Sequence, residues 1–146
     1  LYRLVEGGAY ATFEPTAGNT AALETALRRE HEHMECWRKA EIPARYQFGT
    51  HKRIPPYFCL PDTGWTISAT ASDAVWTGGN HGYDPFSPEM ASLFIANGPA
   101  FRSGVTLDSF QNTAVTPLLR NLLGLPQVST ADGKLADVSS ALAQQK

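Results

Sequence analysis

The spacing of apolar positions changes several times along this chain, and each change marks an element. Residues 1–5 and 9–13 are runs rich in aromatic and branched side chains, separated by Gly7-Gly8, so the pattern predicts a β-hairpin. The cluster Pro15-Thr16-Ala17-Gly18 ends it, and Asn19 or Thr20 can cap a following helix. Leu23, Ala26, Leu27 and Glu30 then recur at threes and fours, predicting an amphipathic helix over 20–32 with Arg28 and Arg29 on its wet side. From Cys36 to Trp65 turn residues dominate, and Pro43 forbids a long helix there. The run Ile54-Pro55-Pro56-Tyr57-Phe58-Cys59-Leu60 reads as a strand that its prolines push to a sheet edge. Pro61-Asp62-Thr63-Gly64 is a tight turn into Trp65-Thr66-Ile67, and the polar stretch 68–73 is a loop with Trp76 near its end. Residues 90–96 fit a buried central strand closed by Asn97-Gly98-Pro99. Leu118, Leu119, Leu122 and Leu123 predict a second helix over 114–123, capped by Asn112 or Thr113 and stopped by Gly124. After Pro126 the composition turns polar, and 137–146 reads as a short surface helix or a frayed tail.

Strands with intervening helices point to an α/β architecture. A length of 146 residues suffices for one core and is short for a two-domain enzyme. The chain opens on Leu1-Tyr2-Arg3-Leu4-Val5, strand-like and without an initiator methionine or a signal core, so we expect either processing or a piece of a longer protein. Upstream strands would then be needed to cover edges and apolar faces left open here. A net charge of −2 with 18% charged residues offers no basic footprint for a nucleic-acid duplex. No apolar run approaches the roughly 20 residues of a membrane helix.

The stretch with the most chemical content is Gly78-Gly79-Asn80-His81-Gly82-Tyr83-Asp84-Pro85. Its glycines allow positive φ and close approach of the backbone to a ligand, so the loop can present one imidazole to a fixed point. A neutral histidine nitrogen is a common zinc ligand, and the acid behind it could hold the other nitrogen. Zinc takes about four ligands, however, and a lone loop histidine is more often solvated or satisfied. His31 and His33 would lie about 200° apart on a helix, and the glutamates between and beside them read as a solvated connection. His51-Lys52-Arg53 and Arg102 could meet a phosphate, but solvated turns are the commoner setting for such residues. Cys36 and Cys59 are the only cysteines and are not spaced for zinc; they are either two buried thiols or one disulfide of an exported protein.

The blocks Gly79-Asn80-His81-Gly82-Tyr83-Asp84-Pro85, Met90-Ala91-Ser92-Leu93-Phe94-Ile95-Ala96-Asn97-Gly98-Pro99-Ala100-Phe101, Phe110-Gln111-Asn112, Pro117-Leu118-Leu119 and Leu122-Leu123-Gly124-Leu125 follow one another in a distinctive order. Together they resemble the C-terminal portion of the bacterial type I phosphodiesterase/nucleotide pyrophosphatase family, of the alkaline phosphatase superfamily. The resemblance runs from Leu1 to about Gly133 and is densest between Trp76 and Leu125; Thr116 departs from it, standing where an aromatic is usual.

The resemblance implies residues 1–133 as the C-terminal part of an alkaline-phosphatase-like sandwich, a mixed and largely parallel sheet flanked by helices. It further implies a small antiparallel excursion over 33–67, entered by a strand near His33, and a tail over 134–146. It implies two zinc ions about 4 Å apart, with His81 as the ligand this chain supplies to one of them. It also implies a threonine or serine nucleophile that forms a covalent nucleotidyl intermediate. That nucleophile and the other ligands belong to an N-terminal portion not in this sequence, so no catalytic residue is expected here and no turnover from this chain alone. The substrate would be a nucleotide or other small phosphodiester, the partner that N-terminal portion, and the compartment the periplasm or the exterior. The family's frequent export also favours a Cys36–Cys59 disulfide. Two alternatives stand beside this reading: a non-catalytic remnant or interaction module, and a phosphonate or sulfate ester hydrolase of the same superfamily.

Overall fold

The structure, a computed structural model, describes residues 1–71 and 77–143. Trp76 and the end of the 68–73 loop lie outside the described residues, as do the last three positions. The chain divides into two compact units, Leu1–Ser92 and the remainder from Leu93.

In the first unit, β1 (Tyr2–Glu6), β2 (Ala11–Pro15), β3 (Met34–Arg38) and β4 (Tyr57–Pro61) form one antiparallel sheet in the order β1-β2-β4-β3. The hairpin β1–β2 turns at Gly7-Gly8, where Gly8 sits at φ 123°. The antiparallel pairing expected over 33–67 is therefore one half of a larger sheet, with the hairpin as the other half. Nor is β4 an edge, because it pairs with β2 on one side and β3 on the other. Its prolines explain this: Pro55 and Pro56 precede the strand and Pro61 closes it, so the missing N–H groups fall outside the middle of the ladder.

Register separates the two faces of the sheet. Ala11 lies opposite Cys59 and Phe13 opposite Tyr57, and these four join Leu23 and Leu27 of helix α1 (Thr20–Leu27) in a buried core. Polar groups then fix the helix on that face. Glu24 pairs with Arg38 and accepts the Tyr57 hydroxyl at 3.2 Å, while Arg28 pairs with Glu41. Each pair is exposed and weak alone; together they orient α1. The helix stops at Leu27, short of the expected residue 32, and the ring of His31 meets the free Leu27 carbonyl at 3.1 Å. Asn19 does not cap α1 with its side chain, which binds Thr16 and Ala17 instead. The opposite face carries Phe58, against which Tyr10, Trp37 and Phe48 pack with ring centroids 5.7, 6.2 and 4.5 Å away.

A disulfide joins Cys36 of β3 to Cys59 of β4, which lie directly opposed with Cα atoms 4.1 Å apart. It ties together two strands separated by a long turn-rich connection.

The largely parallel sheet is not found among the described elements, whose ladders are all antiparallel. Residues 90–96, expected as its buried central strand, form no strand; Leu93 and Ile95 are 84% and 77% exposed. An apolar run becomes a central strand only when neighbours on both sides take up its backbone groups, and no described segment does so here.

The second unit is built on α2 (Val115–Leu122), entered through a 3-10 turn at Asn112–Ala114. Ala114, Leu118 and Val138 are buried together, and Leu122 packs on them. The expected leucine stripe is thus split: Leu118 faces the core, whereas Leu119 and Leu123 are 52% and 71% exposed. Residues 134–142 are neither a surface helix nor frayed. They make 3-10 turns at Leu135–Asp137 and Ser139–Ala141 and are stitched back by the Arg102 N–H to the Ala141 carbonyl at 2.8 Å. The Arg102 guanidinium donates to the Ser140 carbonyl at 3.0 Å, a structural use and not a phosphate clamp. Gly133 lies so close to the 112–114 turn that a Cβ there would come within 2.0 Å of the Thr113 carbonyl oxygen.

Replacing both Cys36 and Cys59 by alanine should cost about 3 kcal/mol of stability, from the loop entropy returned to the unfolded chain. Urea unfolding of the variant against the oxidised protein measures this; equal midpoints would mean that the crosslink contributes nothing.

Candidate functional site

The loop that carries His81 is seated on the hairpin and on the aromatic face of the sheet. At Gly82, with φ 107°, a Cβ would lie 3.3 Å from the Tyr10 ring and 3.4 Å from the Ala9 Cβ, so both the conformation and the close approach call for glycine. Tyr83 beside it is buried. Tyr10 in turn stacks on Phe58, so the seat of the loop rests on the central strand β4.

Asp84 anchors the loop most firmly. One carboxylate oxygen accepts the Arg45 guanidinium at 2.9 Å and the Tyr46 hydroxyl at 3.0 Å, and the other accepts the Phe86 N–H at 2.9 Å. Arg45 also lies over the rings of Tyr46 and Phe86, 4.4 and 5.5 Å from their centroids. Burial alone would raise the Asp84 carboxyl, but the Phe86 N–H, Tyr46 and Arg45 outweigh it and hold it below the ordinary carboxylate value. The same contacts act on Tyr46, whose phenol is raised by burial and by donating to the Asp84 carboxylate. Further along, the hydroxyls of Ser87 and Thr63 meet at 3.1 Å and tie the segment to the turn after β4.

His81 itself is exposed, and its backbone N–H donates to the Asn80 side-chain oxygen at 2.9 Å. Among the described residues neither ring nitrogen has a hydrogen-bond partner. Asp84, which the sequence offered as a partner for its second nitrogen, is committed elsewhere. The other histidines have structural duties. His31 meets the Leu27 carbonyl, His33 stacks on Trp65 at 3.8 Å with Asp62 at 3.2 Å from its Nδ1, and His51 accepts the Arg53 N–H at 3.2 Å.

No group of three or more His, Cys, Asp or Glu side chains among the described residues could enclose a metal ion. The described residues thus do not form a complete metal shell around His81. An open hollow of about 880 Å³ near β3 and the turn after β4 is lined by Glu30, Glu32, Glu35 and Asp62 among others, and His81 is not part of it. Arg28, Arg29 and Arg45 line it as well, so the hollow carries charges of both signs. Sequence reasoning overlooked Arg45 and Tyr46; the only signal was an arginine-tyrosine pair after Pro43.

The model of the type I phosphodiesterase / nucleotide pyrophosphatase family matches residues 4–84, a stretch that contains the His81 loop up to Asp84. Human ectonucleotide pyrophosphatase/phosphodiesterase family member 5 is 32% identical over 124 residues, covering 85% of this chain and 26% of the human protein. The Xenopus laevis bis(5'-adenosyl)-triphosphatase enpp4 is 32% identical over 144 residues, 99% of this chain and 31% of its own length. Among solved structures, inactive murine ectonucleotide pyrophosphatase/phosphodiesterase 5 in complex with AMP superposes with a TM-score of 0.87 at 32% identity, covering 97% of this chain and 37% of the murine one. The chain thus spans well under half the length of these relatives.

Asp84→Asn should lower stability by about 1–3 kcal/mol at neutral pH, the worth of hydrogen bonds to a charged acceptor. Because the folded carboxyl is depressed, its contribution is present above the ordinary carboxylate range and is lost as pH falls through the folded value. The gap between the thermal midpoints of the two proteins should therefore narrow as pH is lowered from about 7 through the acid range; a constant gap would contradict the assignment.

Proposed function

Because the chain belongs to the type I phosphodiesterase/nucleotide pyrophosphatase family, we propose that it is the C-terminal portion of a zinc-dependent nucleotide pyrophosphatase/phosphodiesterase and that His81 is its ligand to one of two zinc ions. The observation that carries this reading is an imidazole with no partner among the described residues, on a rigidly seated glycine loop inside the matched segment. Neutral His81 would donate a nitrogen lone pair, with the contacts of Gly82, Tyr83 and Asp84 holding the ring in place. When bound, the metal pair would supply charge for the phosphoryl oxygens and lower the pKa of an attacking hydroxyl.

The nucleophilic threonine or serine and the remaining ligands belong, on this reading, to an N-terminal portion of the same protein. The hydroxyl oxygen of that threonine or serine would give up its proton and bond to phosphorus as the leaving-group oxygen departs and takes up a proton, and water would then cleave the nucleotidyl ester and restore the hydroxyl. Two names among the relatives support a nucleotide substrate: one is a bis(5'-adenosyl)-triphosphatase, and a structure of another holds AMP. The exposed run at Leu93 and Ile95 would enter the largely parallel sheet of the complete alkaline-phosphatase-like domain. Export to the periplasm or the exterior fits both the Cys36–Cys59 disulfide and the naming of relatives as ectoenzymes. No described helix is long and apolar enough to cross a membrane.

In the full-length protein His81→Ala should lose about one zinc equivalent and lower kcat/KM on a chromogenic nucleotide phosphodiester at least about 100-fold. The present chain alone should not turn that substrate over. Full zinc content and an unchanged rate in the alanine variant would overturn the assignment.

A further inference from the structure

We infer that Arg45 and Tyr46 are positioning residues for the His81 loop, acting through Asp84; the inference rests on His81 being a metal ligand. Both lie in the 3-10 turn Ala44–Tyr46, far from the loop in sequence, and both deliver their donors to the same Asp84 oxygen. A charge-assisted bond of this kind is strong and directional. The plane of the Arg45 guanidinium is itself held over the Tyr46 and Phe86 rings, and Trp37 packs on Tyr46 from the sheet with centroids 6.1 Å apart. The turn is closed by Gln47 at φ 49°, the one non-glycine residue at positive φ among the described residues. That conformation is costly for a residue with a Cβ, so the chain accepts strain where it presents this pair.

Only Gly82 and Tyr83 separate His81 from Asp84, and both are pinned: Gly82 lies against Tyr10 and Ala9, and Tyr83 is buried. A shift of the carboxylate has little slack in which to dissipate before it reaches the imidazole. Metal ligands tolerate displacements of only about 0.5 Å. The segment between β3 and β4 would then act as a brace that sets the position of His81, beyond its part in the fold.

The test uses the full-length protein and zinc alone, titrated against a chromophoric chelator. Arg45→Met keeps much of the stem that lies on the rings and removes every donor; it should weaken zinc binding by several-fold, below the roughly 10–100-fold that follows loss of a group bonded directly to a metal ligand. It should lower kcat while leaving KM for the nucleotide unchanged, and Arg45→Lys should recover part of the loss. In a His81→Ala background, Arg45→Met should change zinc affinity no further. Arg3→Ala, which breaks the exposed Arg3–Glu14 pair of the hairpin, serves as a control with unaltered affinity.

Hydrogen exchange of the metal-free protein supplies a readout that does not depend on what His81 binds. The amides of Phe86 and Ser87, which donate to the Asp84 carboxylate and carbonyl, should exchange at least about tenfold faster in Arg45→Met. Should Arg45→Met prove too unstable, Tyr46→Phe, which removes one donor, must move zinc affinity and exchange in the same direction. A variant that lowers only the melting temperature, with affinity and loop exchange unchanged, overturns the inference, as does an undiminished effect in the His81→Ala background. If His81→Ala alone leaves zinc affinity intact, the ligand assignment fails instead, and quickened exchange would still uphold the brace as a clamp on the loop.

Discussion

One carboxylate, that of Asp84, holds the chemically interesting part of the first unit to the rest of it. Its two oxygens gather a guanidinium and a phenol from the 44–46 turn and a backbone amide from its own loop. The Arg45–Asp84 pair is about as open to water as the Glu24–Arg38 pair on α1, so what sets Asp84 apart is the convergence of three donors on one carboxylate. With Asp84 satisfied, Tyr83 can be buried and Gly82 can press on the Tyr10 ring. His81 then projects from a surface fixed on one side, which a metal ligand requires and a freely moving loop would not offer.

The sheet makes this arrangement possible because its two faces have been given different work. One face is closed by α1, with Leu23 and Leu27 against Phe13, Tyr57 and Cys59, and that core carries most of the apolar burial in the unit. The other face is an aromatic platform around Phe58 on which the 44–48 turn and the His81 loop both find support. Period-two alternation divides the labour without further instruction: Tyr57 and Cys59 go to the helix, Phe58 to the platform. The Cys36–Cys59 crosslink lies on the helix side and holds β3 beside β4, and thereby holds Trp37 next to Phe58.

Local elements were legible where their cause is local. Gly7-Gly8 between two β-prone runs announced the hairpin, and the leucine spacing announced both helices, although α1 ended early once the His31 ring had met its last carbonyl. Elements whose cause is distant were misread. Residues 90–96 look like a strand because they are apolar, but a ladder needs partners, and those are set by topology. The prolines of 54–60 suggested an edge, whereas their position just outside the strand leaves β4 free to be central. The resemblance led to the right family. No periodicity could announce that Arg45 meets Asp84, a pairing across 39 positions that only the folded chain brings about.

A contact in the second unit bears on how this sequence can drift. Gly133 rests backbone against backbone on Thr113, with no room for even one methyl group between them. The chain after Pro126 is polar, loosely patterned and outwardly permissive, yet at that point it admits a single one of the twenty residue types. A saturation library over 126–143 would thus show two kinds of intolerant column, one at the buried Val138, where apolarity gives warning, and one at Gly133, where neither charge nor apolarity does.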